Sequence, residues 1–314
     1  MKALQQIIKC VAENPSQPWA LATLVQTEGS TYRKPGARLL VERNGKTLGV
    51  LSGGCLEEEI GRYGKKVIAT GSPSLLSFDT RRLYGCDGRL KVFVEPLPAA
   101  ERNGNLITEI GRLLKNRQIC RVRTRFEGDT LGSDLLLPDV LLPTRHGILI
   151  DAVGPPVRLL LFGAGPEIEP IAQFAANLGW VIEHFAHPSQ LTEDFRPDAQ
   201  TAALVMTHNF GRDLLALDRI LPLQLRYVGL LGPKKRHAEL LGRLSEYRPL
   251  DFDAGMKNLY APAGLDIGSE APEEIALAIV SEVAAVLSNR VGGFLRERRS
   301  DSHTITTTVS GEAA

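Results

Sequence analysis

A chain of 314 residues with 43% hydrophobic and 23% charged side chains has apolar material for two cores, domains usually running to roughly 100–200 residues. Thirty-seven Lys and Arg face 36 Asp and Glu, for a net charge of +1, which excludes nucleic-acid binding driven by bulk charge. No stretch reaches the roughly 20 apolar residues of a membrane helix, and the start, with Lys2 and Lys9 among scattered apolar residues, lacks a signal-peptide core. A soluble, cytoplasmic protein with neither a nucleic-acid nor a membrane partner is expected.

In chain order, the spacing predicts a helix over Ala3 to Ala12, ended by Asn14-Pro15, and a strand over Trp19 to Gln26. Apolar runs at Arg38 to Glu42 and Lys46 to Leu51 flank Asn44-Gly45, a strong hairpin signal. Helical patterns follow at Cys55 to Ala69 and Leu106 to Lys115, and strand patterns near Leu75 to Phe78, Leu90 to Val94 and Ile119 to Phe126. Pro138 to Pro156 is rich in Pro and Gly around one apolar run, Gly147 to Ile150, and a domain boundary is expected near its end. Beyond it, strands at Arg158 to Phe162, Val181 to Phe185, Ala202 to Met206 and Tyr227 to Leu231 alternate with helices at Glu167 to Asn177, Arg212 to Ile220, Lys235 to Leu244 and Pro272 to Asn289. That alternation predicts a parallel sheet covered on both faces. The expected organisation is a mixed α/β domain over 1–152, a Rossmann-like doubly wound domain over 153–297 and a disordered tail over 298–314. The apolar face of Ile275 to Leu287 is either core or the seam of a homodimer.

Two glycine turns run from strand to helix. Gly163-Ala164-Gly165 lets backbone N–H groups approach a pyrophosphate at a helix start. The dinucleotide fingerprint wants a third glycine where Ile168 stands, and an acid about where Ala186 stands, so NAD(P) binding is not expected. Ser52-Gly53-Gly54-Cys55-Leu56-Glu57 is the rarer turn: it reads either as an anion seat with a thiol on the first helical turn, or as a tight turn around a small buried cysteine. Gly85-Cys86-Asp87-Gly88 is either a second thiol facing the same ligand or ordinary turn chemistry. The polar loop Thr27 to Gly36, with Arg33 and Lys34, either holds an anion or is simply solvated. Lys234, Lys235 and Arg236 offer a possible phosphate contact at a strand end, and the six histidines show no ligand spacing. Cys10, Cys55, Cys86 and Cys120 contain no CxxC, so free thiols are expected in a reducing compartment, with Cys10 and Cys120 structural.

The ordered set Gly29-Ser30-Thr31, Pro35-Gly36-Ala37, Ser52 to Glu57, Gly85-Cys86 and Phe93-Val94-Glu95-Pro96-Leu97 resembles the XdhC/CoxI family, the xanthine dehydrogenase accessory factors. In the second half Phe162 to Gly165, Thr207-His208-Asn209, Tyr227 to Gly232 and Pro262 to Gly268 resemble that family's Rossmann-like domain. The resemblance implies a chaperone that binds the molybdenum cofactor, as molybdopterin or a dinucleotide form. It also implies help in sulfurating that cofactor through a cysteine desulfurase, and delivery to a molybdenum hydroxylase of the xanthine or aldehyde dehydrogenase type. Residues expected at the cofactor are Arg33, Ser52, Gly53, Gly54, Cys55, Glu57, Cys86, Gly163 and Gly165, with no catalytic residue and no protein-held metal. The chain departs from the pattern at Ala186-His187, where an acid-Arg pair is common, and at Asp87, where a glycine is common. An NAD(P)-dependent oxidoreductase built on the second half is the alternative.

Overall fold

The computed structural model describes residues 1–29, 31–54, 56–79, 88–101, 104–137, 145–247 and 256–297. The first helix, α1 (Lys2–Glu13), precedes a strand, β1 (Trp19–Gly29), whose first seven residues are all buried. They are buried because both faces of the sheet are covered. The sheet runs β3-β2-β1-β5-β4 and is antiparallel throughout, with β2 (Arg38–Val41), β3 (Thr47–Leu48), β4 (Ser74–Asp79) and β5 (Gly88–Leu97). Ala20, Ala22 and Leu24 pack with Ile60 and Val67 of α2 (Glu57–Thr70) and with Leu56 just before it, while Trp19 and Leu21 pack with Ile7 and Val11 of α1 and Ile107 and Ile110 of α3 (Leu106–Lys115). The predicted hairpin forms with a shorter second strand. Gly45 takes positive φ, Asn44 acts through its side chain on the Lys46 N–H at 2.7 Å, and Gly49 at φ 112° turns the chain out of the sheet.

A second sheet joins β6 (Cys120–Arg125) to β7 (Gly132–Leu136) and β8 (Ile148–Val153), both antiparallel. The apolar run at Gly147 to Ile150 supplies the start of β8, and β7, which opens Gly-Ser-Asp without alternation, carries no strand signal in the sequence. Glu95 ties this sheet to the first by accepting the Ser133 N–H at 2.8 Å and the Ser133 hydroxyl. Burial pushes its carboxyl up, partly offset by the Ser133 bonds and by the Arg38 and Arg125 charges.

The third sheet is wholly parallel and runs β10-β9-β11-β12-β13, with β9 (Arg158–Gly163), β10 (Val181–Phe185), β11 (Thr201–Met206), β12 (Val228–Leu230) and β13 (Leu259–Tyr260). Helices α5 (Phe210–Ile220) and α6 (Lys234–Tyr247) bury Leu160, Phe162, Val205 and Leu230 on one face. On the other, α4 (Ile168–Leu178) and α7 (Pro272–Leu287) bury Leu159, Leu161, Leu204 and Met206. The fold is thus the expected mixed α/β arrangement with a doubly wound, Rossmann-like parallel sheet. Ala276, Ile279, Val280, Val283 and Leu287 lie in this core, so the apolar face of α7 is core and not a free seam. Arg117 joins the two halves, its guanidinium donating to both Asp198 carboxylate oxygens (2.6 and 3.0 Å) and to the Pro156 carbonyl (2.8 Å). No helix of the described residues is long and apolar enough to cross a membrane. Residues 298–314, where the disordered tail is expected, lie outside the described residues.

Candidate functional site

The turn between β3 and α2 is organised by one buried carboxylate. Glu57 Oε1 accepts the N–H groups of Leu51 and Ser52, both at 2.9 Å, and Oε2 accepts the Ser52 hydroxyl at 2.6 Å and the Leu56 N–H at 3.1 Å. Ser52 Oγ in turn accepts the Leu56 N–H at 2.9 Å. Burial raises the Glu57 carboxyl, but these bonds outweigh it and the net shift is downward. Gly53 and Gly54 take φ of 80° and 109°, a region that strains any residue with a Cβ. Both are exposed, so the loop presents bare backbone just before position 55.

This arrangement changes how the turn can meet an anion. Glu57, Glu58 and Glu59 all sit in the first turn of α2, and their charges answer the helix dipole. Glu57 therefore shapes the loop, and the helix start itself repels a phosphate. Because a lowered carboxylate contributes stability above its unfolded pKa of about 4.3, that contribution is present at neutral pH and lost as pH falls through the folded value. Glu57→Gln is expected to cost about 1.5–3 kcal/mol at pH 7, with the difference shrinking below about pH 4. Denaturant unfolding at the two pH values checks this; equal stabilities at pH 7 would show the clamp to be dispensable.

Beside the turn lies a cavity of about 450 Å³ lined by the Tyr32–Arg38 loop, by Asp151 to Gly154 at the end of β8, and by Met1, Ala3 and Leu4. Arg33, half-buried, and Lys34, exposed, contribute its free cations; among the described residues neither has a carboxylate partner. Arg38 is buried and pairs with both Asp151 oxygens (3.0 and 2.8 Å) while donating to the Gly36 carbonyl at 3.1 Å. Tyr32, 71% exposed, lines this cavity and also stands 3.7 Å from where a Cβ of Gly53 would be. The cavity and the glycine turn are therefore neighbours. Arg33 thus lines the cavity, and Ser52, Gly53, Gly54 and Glu57 form the turn that Tyr32 adjoins, whereas Cys55 and Cys86 lie outside the described residues. Burial pushes the thiols of Cys10 and Cys120 up from the usual cysteine range.

Gly163 and Gly165 stand apart from this region, at the carboxyl end of the parallel sheet where strand order reverses between β9 and β11. Gly163, at φ 149°, abuts the Met206 carbonyl, and a Cβ on Gly165 would strike Glu167 Oε2 and His208 Nε2. Glu167 is 8% exposed and its Oε2 has no hydrogen-bond partner among the described residues. His208 takes positive φ, and its Nε2 lies 3.7 Å from that oxygen. Its turn is held by buried Asp213, whose Oδ1 accepts the Thr207 N–H (3.1 Å) and hydroxyl (2.6 Å) and whose Oδ2 pairs with Arg236. Arg236, expected as a possible phosphate contact, is thus engaged within the protein. Among the described residues no group of His, Cys, Asp and Glu is arranged to hold a metal ion.

Two family models match this chain: the XdhC and CoxI family over residues 12–79 and the XdhC Rossmann domain over residues 159–283. A Bacillus subtilis (strain 168) protein, named as a probable subunit of xanthine dehydrogenase, is 29% identical over 313 residues, 84% of this chain and 91% of its own length. The Escherichia coli (strain K12) "Molybdenum cofactor insertion chaperone PaoD" is 25% identical over 277 residues, 85% of this chain and 82% of its own. A crystal structure of a Bacillus halodurans protein described as a xanthine dehydrogenase superposes with a TM-score of 0.77 at 26% identity, covering 92% of this chain and 97% of that one.

Proposed function

Because this chain belongs to the XdhC and CoxI family, we propose that it is a cytoplasmic carrier that binds the molybdenum cofactor as cargo and hands it to a molybdenum hydroxylase. The name of the PaoD relative supports a role in cofactor insertion, and that of the Bacillus subtilis relative a partner of the xanthine dehydrogenase type. The structural observation that carries the reading is the contiguity of the cationic cavity with the Gly53-Gly54 turn through Tyr32. The cofactor combines an anionic phosphate tail with a sulfur-bound metal. Cations on one side and a thiol-bearing turn on the other match those two ends. We assign this work to 1–152, with the thiols of Cys55 and Cys86 as ligands for the metal and as participants in sulfuration by a cysteine desulfurase. The half over 153–297 acts as a Rossmann-like scaffold, and the protein is an accessory factor, not a self-sufficient catalyst. The test is transfer: the loaded full chain should activate a cofactor-free hydroxylase faster than free cofactor does, and equal rates would sink the carrier role.

No nicotinamide nucleotide is assigned to the parallel sheet. In a dinucleotide site the glycine at position 165 leaves room for a pyrophosphate; here Glu167 and His208 occupy that room, and a carboxylate there repels phosphate. Ala186 also lacks the acid that holds a ribose. Losing one charged hydrogen bond alone weakens binding roughly ten- to a hundredfold. Calorimetry is expected to show no micromolar binding of NAD or NADP; such binding would revive the oxidoreductase reading.

A further inference from the structure

We propose that the cavity under the Tyr32–Arg38 loop is a phosphate-binding subsite, and that the cofactor's anionic tail lies there while its metal end faces the Ser52–Glu57 turn. The assignment of the tail rests on the carrier reading above; the phosphate subsite does not. Two groups on the cavity wall point to an anion. Arg33 and Lys34 bring two positive charges that no carboxylate among the described residues neutralises. Arg38, 6% exposed, also lines the cavity, and its charge is taken up by Asp151. The acid on the wall, Asp151, has both oxygens engaged by Arg38, so it does not offset the other two cations.

The competing seat is closed. A phosphate placed at the start of α2 would meet Glu57, Glu58 and Glu59, whereas the cavity next door is cationic. Tyr32 connects the two places, lining the cavity and flanking Gly53. A single elongated ligand can therefore lay its phosphate by Arg33 and reach past Tyr32 to the turn. At about 450 Å³ the cavity falls within the roughly 300–1,000 Å³ typical of small-molecule sites. Arg33 is the principal contact because a guanidinium grips phosphate through two parallel N–H bonds.

The probe is inorganic pyrophosphate, titrated calorimetrically into the full chain at low ionic strength. Measurable binding is expected, weakened by added salt. Arg33→Gln is expected to weaken it about ten- to a hundredfold, and Lys66→Gln, off the cavity wall, to leave it unchanged. Absence of binding, or equal binding by Arg33→Gln, would overturn the subsite. Molybdenum and pterin content of the purified chain, measured in parallel, separates the two claims. A chain that carries both but ignores pyrophosphate contradicts the subsite alone. A chain that binds pyrophosphate through Arg33 but never carries pterin contradicts the tail assignment and the carrier reading together.

Discussion

Asp151→Ala is expected to lower the unfolding free energy by about 3–5 kcal/mol, as removal of one partner from a buried ion pair does. Arg38 and Asp151 are 3% and 14% exposed at their side chains and meet through two hydrogen bonds across 113 positions of sequence. Without Asp151, the Arg38 guanidinium remains buried with the Gly36 carbonyl as its one acceptor among the described residues. The loss spreads beyond stability, because this pair fastens the Tyr32–Arg38 loop to β8 and so forms the cavity wall. The double variant Arg38→Met with Asp151→Leu should recover much of the loss, apolar replacements of a buried pair being often neutral, yet should not restore the cavity's polarity. Urea unfolding reads all three. An Asp151→Ala chain within about 1 kcal/mol of wild type, the range of an ordinary surface pair, would show that the pair does not hold this wall.

Cys55→Ser is expected to reduce the molybdenum retained by the purified chain at least about tenfold, the scale on which metal sites respond to altered ligand surroundings, while the fold persists. The thiolate is the form that binds a soft metal, and a hydroxyl is a poor substitute. Two left-handed glycines directly before this position hold the backbone open, and Glu57 closes the loop behind it. The carboxylates of Glu57 to Glu59 oppose the dipole of the helix start, so the expectation rests on sulfur chemistry. Cys86→Ser should act in the same direction and less strongly, given Asp87 beside it. Elemental analysis with circular dichroism on both variants decides the matter. Full molybdenum content in both would mean that the turn works through backbone contacts alone.

Much of the fold was legible because its elements carry local signals. The helix at Leu106 to Lys115 has an Asn105 cap and a strong apolar stripe, and its predicted ends match those observed. The strands of the parallel sheet stand out as continuous apolar runs, as burial on both faces requires. What escaped notice depends on partners distant in sequence. The two-residue strand Leu259–Tyr260 exists through pairing with Val228 and Gly229, and β7 through pairing with β6. The site divides the same way. The glycine turns were visible as motifs, but Tyr32 as their neighbour, Asp151 as the partner of Arg38, and Glu167 beneath His208 are tertiary facts that no local pattern encodes. Glu57 shows the intermediate case: its place in the first turn was readable, whereas its two-oxygen grip on Leu51, Ser52 and Leu56 was not.

The central claim is that this chain carries the molybdenum cofactor, and its most direct test is the composition of the protein itself. The full chain is purified from cells that synthesise the cofactor, and molybdenum and pterin are assayed against protein. The account predicts both, in equal amounts, with Arg33→Gln and Cys55→Ser each lowering the content of a chain that remains folded. A folded wild-type chain free of molybdenum and pterin would contradict it.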